Sequence, residues 1–195
     1  MNNKISKTYI ITDSHFFHKR IITDFGFRPP NFDHLIIKRW QDTVQPQDIV
    51  YHLGDVTWGS QGQLSTIMEG LPGTKILIRG NHDKNHSNNW FMDAGFAAVL
   101  EKAQVSKVIL SHTPAIMTQA ELDYRIINVH GHFHNNNAKQ WEVHLTERIT
   151  TSHYLLSLKN VNYYPVLLSD ILKERYVENS KKLLENSKKN LESES

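Results

Sequence analysis

The apolar residues of this chain fall in short runs, and most runs give way to a polar turn carrying Asp, Asn or His. Tyr9-Ile10-Ile11 is too short and too evenly apolar for an amphipathic helix and reads as a buried strand ending in Thr12-Asp13-Ser14-His15. Residues 49–53 and 75–78 repeat the pattern and end in Gly54-Asp55 and Gly80-Asn81-His82-Asp83. Residues 97–100 and 107–110 read as two more strands, the second running into Ser111-His112-Thr113-Pro114. Residues 125–129 lead into His130-Gly131-His132-Phe133-His134. Between the early strands the apolar period lengthens to a helical one. Leu35, Ile36, Ile37, Trp40 and Val44 mark a helix capped by Asn31 or Asp33; Leu64, Ile67 and Met68 mark one capped by Ser60. A short helix over residues 90–94 stops at Gly95. Residues 139–153 do not decide between helix and strand. Residues 154–158 and 163–168 read as late strands around a turn at Lys159-Asn160, with Ser169 or Asp170 capping a last helix. Strand–helix alternation followed by a strand-rich half predicts an α/β layered fold with a mixed sheet.

Composition adds limits. A chain of 195 residues, 39% hydrophobic and 22% charged, suits one globular domain or one domain with an appendage. Its net charge of +2 provides no field for long duplex nucleic acid or a membrane surface. There is no cysteine, which removes disulfides and thiolate metal sites. No apolar run is long enough to span a bilayer, and Met1-Asn2-Asn3-Lys4 lacks the apolar core of a signal peptide. A soluble cytoplasmic protein is the expectation. Residues 178–195 form a polar tail, expected to be a solvated helix end or disordered, with a role in assembly as the alternative.

Histidine is the exception to an ordinary composition. Of 12 histidines, His15, His18, His52, His82, His112, His132 and His134 stand in or beside turns that follow β-like runs. In open α/β sheets, sites form beyond the carboxyl ends of strands, where residues distant in sequence meet. Carboxylate, imidazole and amide oxygen without thiolate suit Mn, Fe, Zn, Ni or Co rather than copper(I) or iron–sulfur centres. In extended backbone, residues i and i+2 point the same way, so Asp13 with His15 and His132 with His134 are expected to reach one cavity. The glycines before Asp55, Asn81 and His132 are expected to permit close approach of the backbone.

The ordered set Asp13-x-His15, Gly54-Asp55, Gly80-Asn81-His82-Asp83, His112 and Gly131-His132-x-His134 resembles the calcineurin-like metallophosphoesterase superfamily. His18 and the stretch Asn162-Tyr163-Tyr164-Pro165-Val166 resemble its small uncapped bacterial and phage branch. The resemblance implies a four-layer α-β-β-α sandwich of two mixed sheets flanked by helices, spanning residues 1–177. It also implies two divalent ions (Mn, Fe, Ni or Zn). Asp13, His15, Asp55 and His134 would hold one ion; Asp55, Asn81, His112 and His132 would hold the other. A hydroxide shared by the ions would attack phosphorus, His82 would protonate the leaving group, and Asp83 would orient the His82 ring. Asn81 and His18 are also candidates for contact with the substrate.

With no room for a large cap, the site is expected to be open. A phosphodiester or nucleotide-like small molecule is the expected substrate. A phosphomonoesterase or protein phosphatase is the alternative, and a catalytically silent scaffold for assembly is another. A scaffold would be expected to lose ligands, and every motif position here is filled. Trp58, Phe17 and Phe133 are candidates for a wall stacking on a base, or for ordinary packing. His52 and His130 read as packed or supporting residues. Arg79 reads as an anion binder or a surface ion pair. His34, His86, His144 and His153 read as surface or core residues.

Overall fold

Hydrogen bonding sorts the strands into two sheets. The computed structural model of the chain describes residues 5–23, 28–134 and 142–175. In the first sheet, β1 (Thr8–Ile11), β2 (Ile49–His52), β3 (Thr74–Ile78) and β4 (Ala98–Leu100) run parallel. After a one-turn helix α1 (Arg20–Thr23), these strands are joined through α2 (Phe32–Thr43), α3 (Gln61–Gly70) and α4 (Asn88–Asp93). In the second sheet, β5 (Ala103–Val105) pairs antiparallel with β6 (Val108–Ser111). β6 then pairs parallel with β7 (Ile127–His130), and β7 with β8 (His153–Leu155); the short helices α5 (Gln119–Asp123) and α6 (Val143–Thr146) lie in the connections. β9 (Val166–Leu167) returns to the first sheet, antiparallel to β1.

Alternation along β1 explains the layers. Tyr9 and Ile11 leave one face and Ile10 the other. Tyr9, Ile11, Val50 and Leu77 pack with Ile36, Trp40, Leu64, Met68 and Phe91 from α2, α3 and α4. Ile10, Leu53 and Ile78 pack with Val108, Leu110 and Val129 of the second sheet. The first sheet is thus covered by helices on one face and by the second sheet on the other. The four-layer sandwich of two mixed sheets flanked by helices is the observed fold. Among the described residues no helix is long and apolar enough to cross a membrane.

Local chemistry accounts for most boundaries and for the departures. Ser60 caps α3 through a full capping box with Gln63. Asn31 occupies the cap position of α2 without a side-chain cap bond; Asp33 is instead engaged in accepting from the Phe17 amide at 3.1 Å. The two late strands do not form a hairpin. Asn162 and Tyr163 take left-handed φ of 49° and 63°, and the turn carries the chain from the second sheet back to the first. β5 escaped the sequence reading because three residues are too few to show an alternation; it is defined by a tight turn in which Ser106 has φ 55°. Residues 168–175 are helical, so Ser169 and Asp170 lie in the first turn instead of capping it. Of the undecided stretch, the described part divides into α6 and the start of β8. Residues 176–195, including the whole of the expected tail, lie outside the described residues.

One buried amide fixes the strand that delivers His112. Asn128 is fully buried; its Oδ1 accepts from the Ala115 amide at 3.0 Å, and its Nδ2 donates to Ile109 O at 3.0 Å and Ser111 Oγ at 2.9 Å. Asn128→Leu removes these partners while leaving their polar groups in place. It is expected to lower the unfolding free energy by about 2–4 kcal/mol. A urea midpoint equal to wild type at equal slope would contradict this.

Candidate metal centre

The turns after β1, β2, β3, β6 and β7 converge because parallel neighbours end on the same side. They are also tied to one another. The amides of Asp13 and His15 donate to Gly54 O and Asp55 O at 2.9 and 3.0 Å. The seam between the sheets is closed by the His132 amide, which donates to Asp13 Oδ2 at 3.0 Å, and by His112 Nδ1, which lies 2.7 Å from Leu53 O. Close approach requires glycine at two points. A Cβ on Gly80 would lie 2.1 Å from Asp55 Oδ1, and one on Gly131 would lie 2.0 Å from Thr12 Oγ1.

The ligand candidates are not aimed by strand alternation. Asp13, His15, Asp55, His132 and His134 have φ of 48°, 46°, 56°, 74° and 41°. These are left-handed conformations in which a side chain costs about 1–3 kcal/mol when strained. The i, i+2 pairs converge because the backbone turns, which corrects the extended-backbone expectation.

Two groups of donors result: Asp13, His15 and His134, then Asp55, His112 and His132, with one candidate ligand atom per residue and all such atoms within 4.8 Å in each group. His15 Nε2 lies 3.2 Å from His134 Nε2 and 3.9 Å from Asp13 Oδ1. His112 Nε2 lies 3.2 Å from His132 Nδ1 and 2.9 Å from Asn81 Oδ1. Asp55 Oδ2 stands between the groups, 3.8 Å from His15 Nε2 and 3.4 Å from His112 Nε2. The donor set fits divalent cations. Asp13 Oδ1 is buried with no hydrogen-bond partner, and ring nitrogens facing each other at 3.2 Å need a cation or proton between them.

The electrostatics run the same way. Burial would raise the Asp55 carboxyl, but the imidazoles of His112, His15 and His82 outweigh it and hold it well below the usual range. Burial disfavours charge on His112, yet the Asp55 carboxylate pushes its pKa up to about 9. Burial holds His15 well below 6.5, with Asp55 opposing. The centre is set to take up positive charge, from a proton or from a metal ion.

The supporting residues differ partly from expectation. The Asp83 carboxylate is engaged by backbone, not by the His82 ring: it accepts from the amides of Gly80 (2.7 Å), Asp55 (2.8 Å) and Val56 (3.0 Å). It therefore clamps the turns after β2 and β3 together. His52 Nδ1 accepts from the Gly54 amide at 3.2 Å, which leaves Nε2 to donate to Ser14 Oγ at 2.8 Å; Ser14 donates onward to Val56 O at 2.7 Å. Arg79 holds the turn after β3 through the carbonyls of Asp83 and His86 and through Asn88 Oδ1. His130 is fully buried, packed edge-on against Phe133 and His153. Phe133 is itself 4% exposed and forms no wall, whereas Trp58 is 45% exposed beside the centre. His18 stacks on Trp58 with centroids 4.2 Å apart.

Sequence reasoning missed two residues. Arg28, which precedes the Pro29-Pro30 pair, is buried and donates to the carbonyls of Asp13 and Ser14, the latter at 2.6 Å, with Phe32 under its guanidinium at 5.0 Å. Its signal was an arginine beside a Pro-Pro pair, which carries no pattern of its own. Glu142 Oε1 lies 2.9 Å from His132 Nε2, a carboxylate behind a ring whose other nitrogen faces the centre. It fell in the stretch that showed no clear period.

Residues 6–186 match the family model described as calcineurin-like phosphoesterase. An uncharacterized protein of Methanocaldococcus jannaschii is 31% identical over 172 residues, covering 86% of this chain and 90% of its own length. The Gene 66 protein of Mycobacterium phage D29 is 27% identical over 159 residues, 67% of this chain and 80% of its own. The crystal structure of a protein of unknown function from Aquifex aeolicus aligns with a TM-score of 0.64 at 26% identity, covering 87% of this chain and 99% of its own.

Burial pushes His52 down to about 3, so the folded protein keeps it neutral. Below pH 6.5 the unfolded chain binds a proton there that the folded chain refuses, so stability falls with pH from about 6.5 toward about 3. In metal-stripped protein, His52→Gln is expected to be less stable at pH 7.5 yet to lose stability more slowly below pH 6.5. The slopes should differ by up to about 1.4 kcal/mol per pH unit. Parallel urea-stability curves for the two proteins would exclude a neutral buried His52.

Proposed function

The chain belongs to the calcineurin-like phosphoesterase family, and from that premise we propose that it hydrolyses phosphodiesters at a two-ion centre with His82 as the acid. Asp13, His15, Asp55 and His134 would hold one divalent ion; Asp55, Asn81, His112 and His132 would hold the other. When bound, such ions supply Lewis acidity that neutralises phosphoryl charge and makes water a usable nucleophile near neutral pH. The observation that carries the reading is the place of Asp55 Oδ2, within 4 Å of a ring nitrogen from each donor group.

The protein's own part is to fix geometry and deliver a proton. Asp83 holds the turns that present Asp55 and Asn81 in one arrangement. Asp55 Oδ1 accepts from the His82 amide at 2.9 Å, which sets the start of the His82 side chain. The His82 side chain is 46% exposed, and its Nε2 lies 3.9 Å from Asp55 Oδ2, at the mouth of the centre and outside both donor groups. A histidine there can protonate the leaving oxygen as the P–O bond breaks. Family membership supports metal-dependent phosphoester hydrolysis as the reaction class; the diester preference rests on the open mouth.

His82→Ala is expected to bind two Mn²⁺ per chain by calorimetry, as wild type does. Its turnover should fall about 10²–10⁴-fold on a diester with an alkyl leaving group, and less on one with a nitrophenyl leaving group. Equal loss on both substrates would remove His82 as the acid. Asp55→Ala should weaken both ions, whereas His134→Ala should weaken one and leave the second near wild type. A protein that binds two ions and hydrolyses neither diester nor monoester probes with Mn²⁺, Ni²⁺ or Mg²⁺ would point to the scaffold reading.

A further inference from the structure

Trp58 is the large apolar side chain that the fold leaves open beside the centre. Its indole is 45% exposed, so part of the ring stays open to solvent while the rest packs on the histidines of the site. Its ring centroid lies 5.2 Å from that of His15, 4.5 Å from that of His82 and 4.2 Å from that of His18. Trp58 is therefore next to the proposed proton donor and next to a candidate ligand at once.

The turn that carries Trp58 is built to stay in place. The Trp58 amide donates to Phe16 O at 2.8 Å, in the strand-like bridge between Phe16 and Thr57. Thr57 Oγ1 accepts from the Gly59 amide at 2.9 Å. A Cβ on Gly59 would meet the Phe17 ring at 2.5 Å, so the turn lies hard against that ring. His18 stacks on the indole at an interplanar angle of 21°. A fixed aromatic plane loses little entropy when a second ring stacks on it.

The leaving oxygen must come to His82, because that is where its proton comes from. The group attached to that oxygen then extends from His82, and Trp58 is the neighbouring surface. We propose that Trp58 is a specificity residue that stacks on the leaving group, and that the substrates are phosphoesters whose leaving alcohol carries a planar ring, as a nucleoside does. This rests on the hydrolase reading and deepens it. Hydrolysis adds one water: its oxygen joins phosphorus, the P–O bond to the ring-bearing alcohol breaks, and that oxygen leaves with a proton from His82.

The test uses two methyl phosphodiesters whose second alcohols have similar acidity and size, 2-phenylethanol and 2-cyclohexylethanol. With wild type in Mn²⁺, kcat/KM for release of the phenyl alcohol should exceed that for the cyclohexyl alcohol by about five- to a hundredfold, the range that stacking increments per base allow. Trp58→Ala should bring the ratio to about one, and Trp58→Phe should keep part of it. A wild-type ratio near one, or a ratio unchanged in Trp58→Ala, overturns the proposal. Equilibrium binding gives a second readout that does not need turnover. Adenosine monophosphate should bind metal-loaded wild type more tightly than methyl phosphate by a similar factor, and Trp58→Ala should lose that difference. If neither diester is cleaved while the binding difference holds, the diester reading fails and the stacking site stands. If diesters are cleaved with no ring preference, the reverse follows.

Discussion

Two carboxylates, Asp55 and Asp83, are held out of water side by side, and the site takes its form from what keeps them there. A buried carboxylate needs hydrogen-bond donors or positive charge. Asp83 obtains amide hydrogens from both flanking turns, which fixes those turns to each other. Asp55 gives one oxygen to the His82 amide and turns the other toward imidazoles. Burial and the nearby Asp55 charge push the Asp83 carboxyl up, with the amide bonds acting against them. The pair is tolerable because one member is served by the backbone and the other by the imidazoles around it, His112 foremost.

The left-handed backbone at five ligand candidates is strain that the surroundings must over-determine. Arg28 draws the carbonyls of Asp13 and Ser14 to one side, the His52–Ser14–Val56 chain holds the same turn from below, and the second sheet reaches across through the His132 amide. These contacts belong to the fold's stability ledger and to the site's geometry alike. A substitution at Arg28 therefore acts on both.

The frame was readable from the chain because its cues are local. Short apolar runs ending in Asp, Asn or His marked the five turns that meet, and Ser60 marked the start of α3. What was not readable has a physical reason in each case. Strand alternation led to Asp13 and His15 as a pair, but a positive φ at a non-glycine residue leaves no mark in sequence. The resemblance assigned Asp83 to the His82 ring, whereas the carboxylate satisfies amides in space instead of its neighbour in the chain. Arg28 and Glu142 act at contacts distant in sequence, from segments without period. The late strands were legible as two apolar runs around a turn, but that they belong to different sheets was not.

That separation bears on how the protein is made. β1, the first described strand in chain order, is bordered on one side by β2 and on the other by β9, the last described strand. Until β9 arrives, β1 shows one bare row of amides and carbonyls, the kind of edge that invites pairing with another chain. The two residues of β9 thus act as a latch, and synthesis halted before them would leave an adhesive fold in place of a closed one.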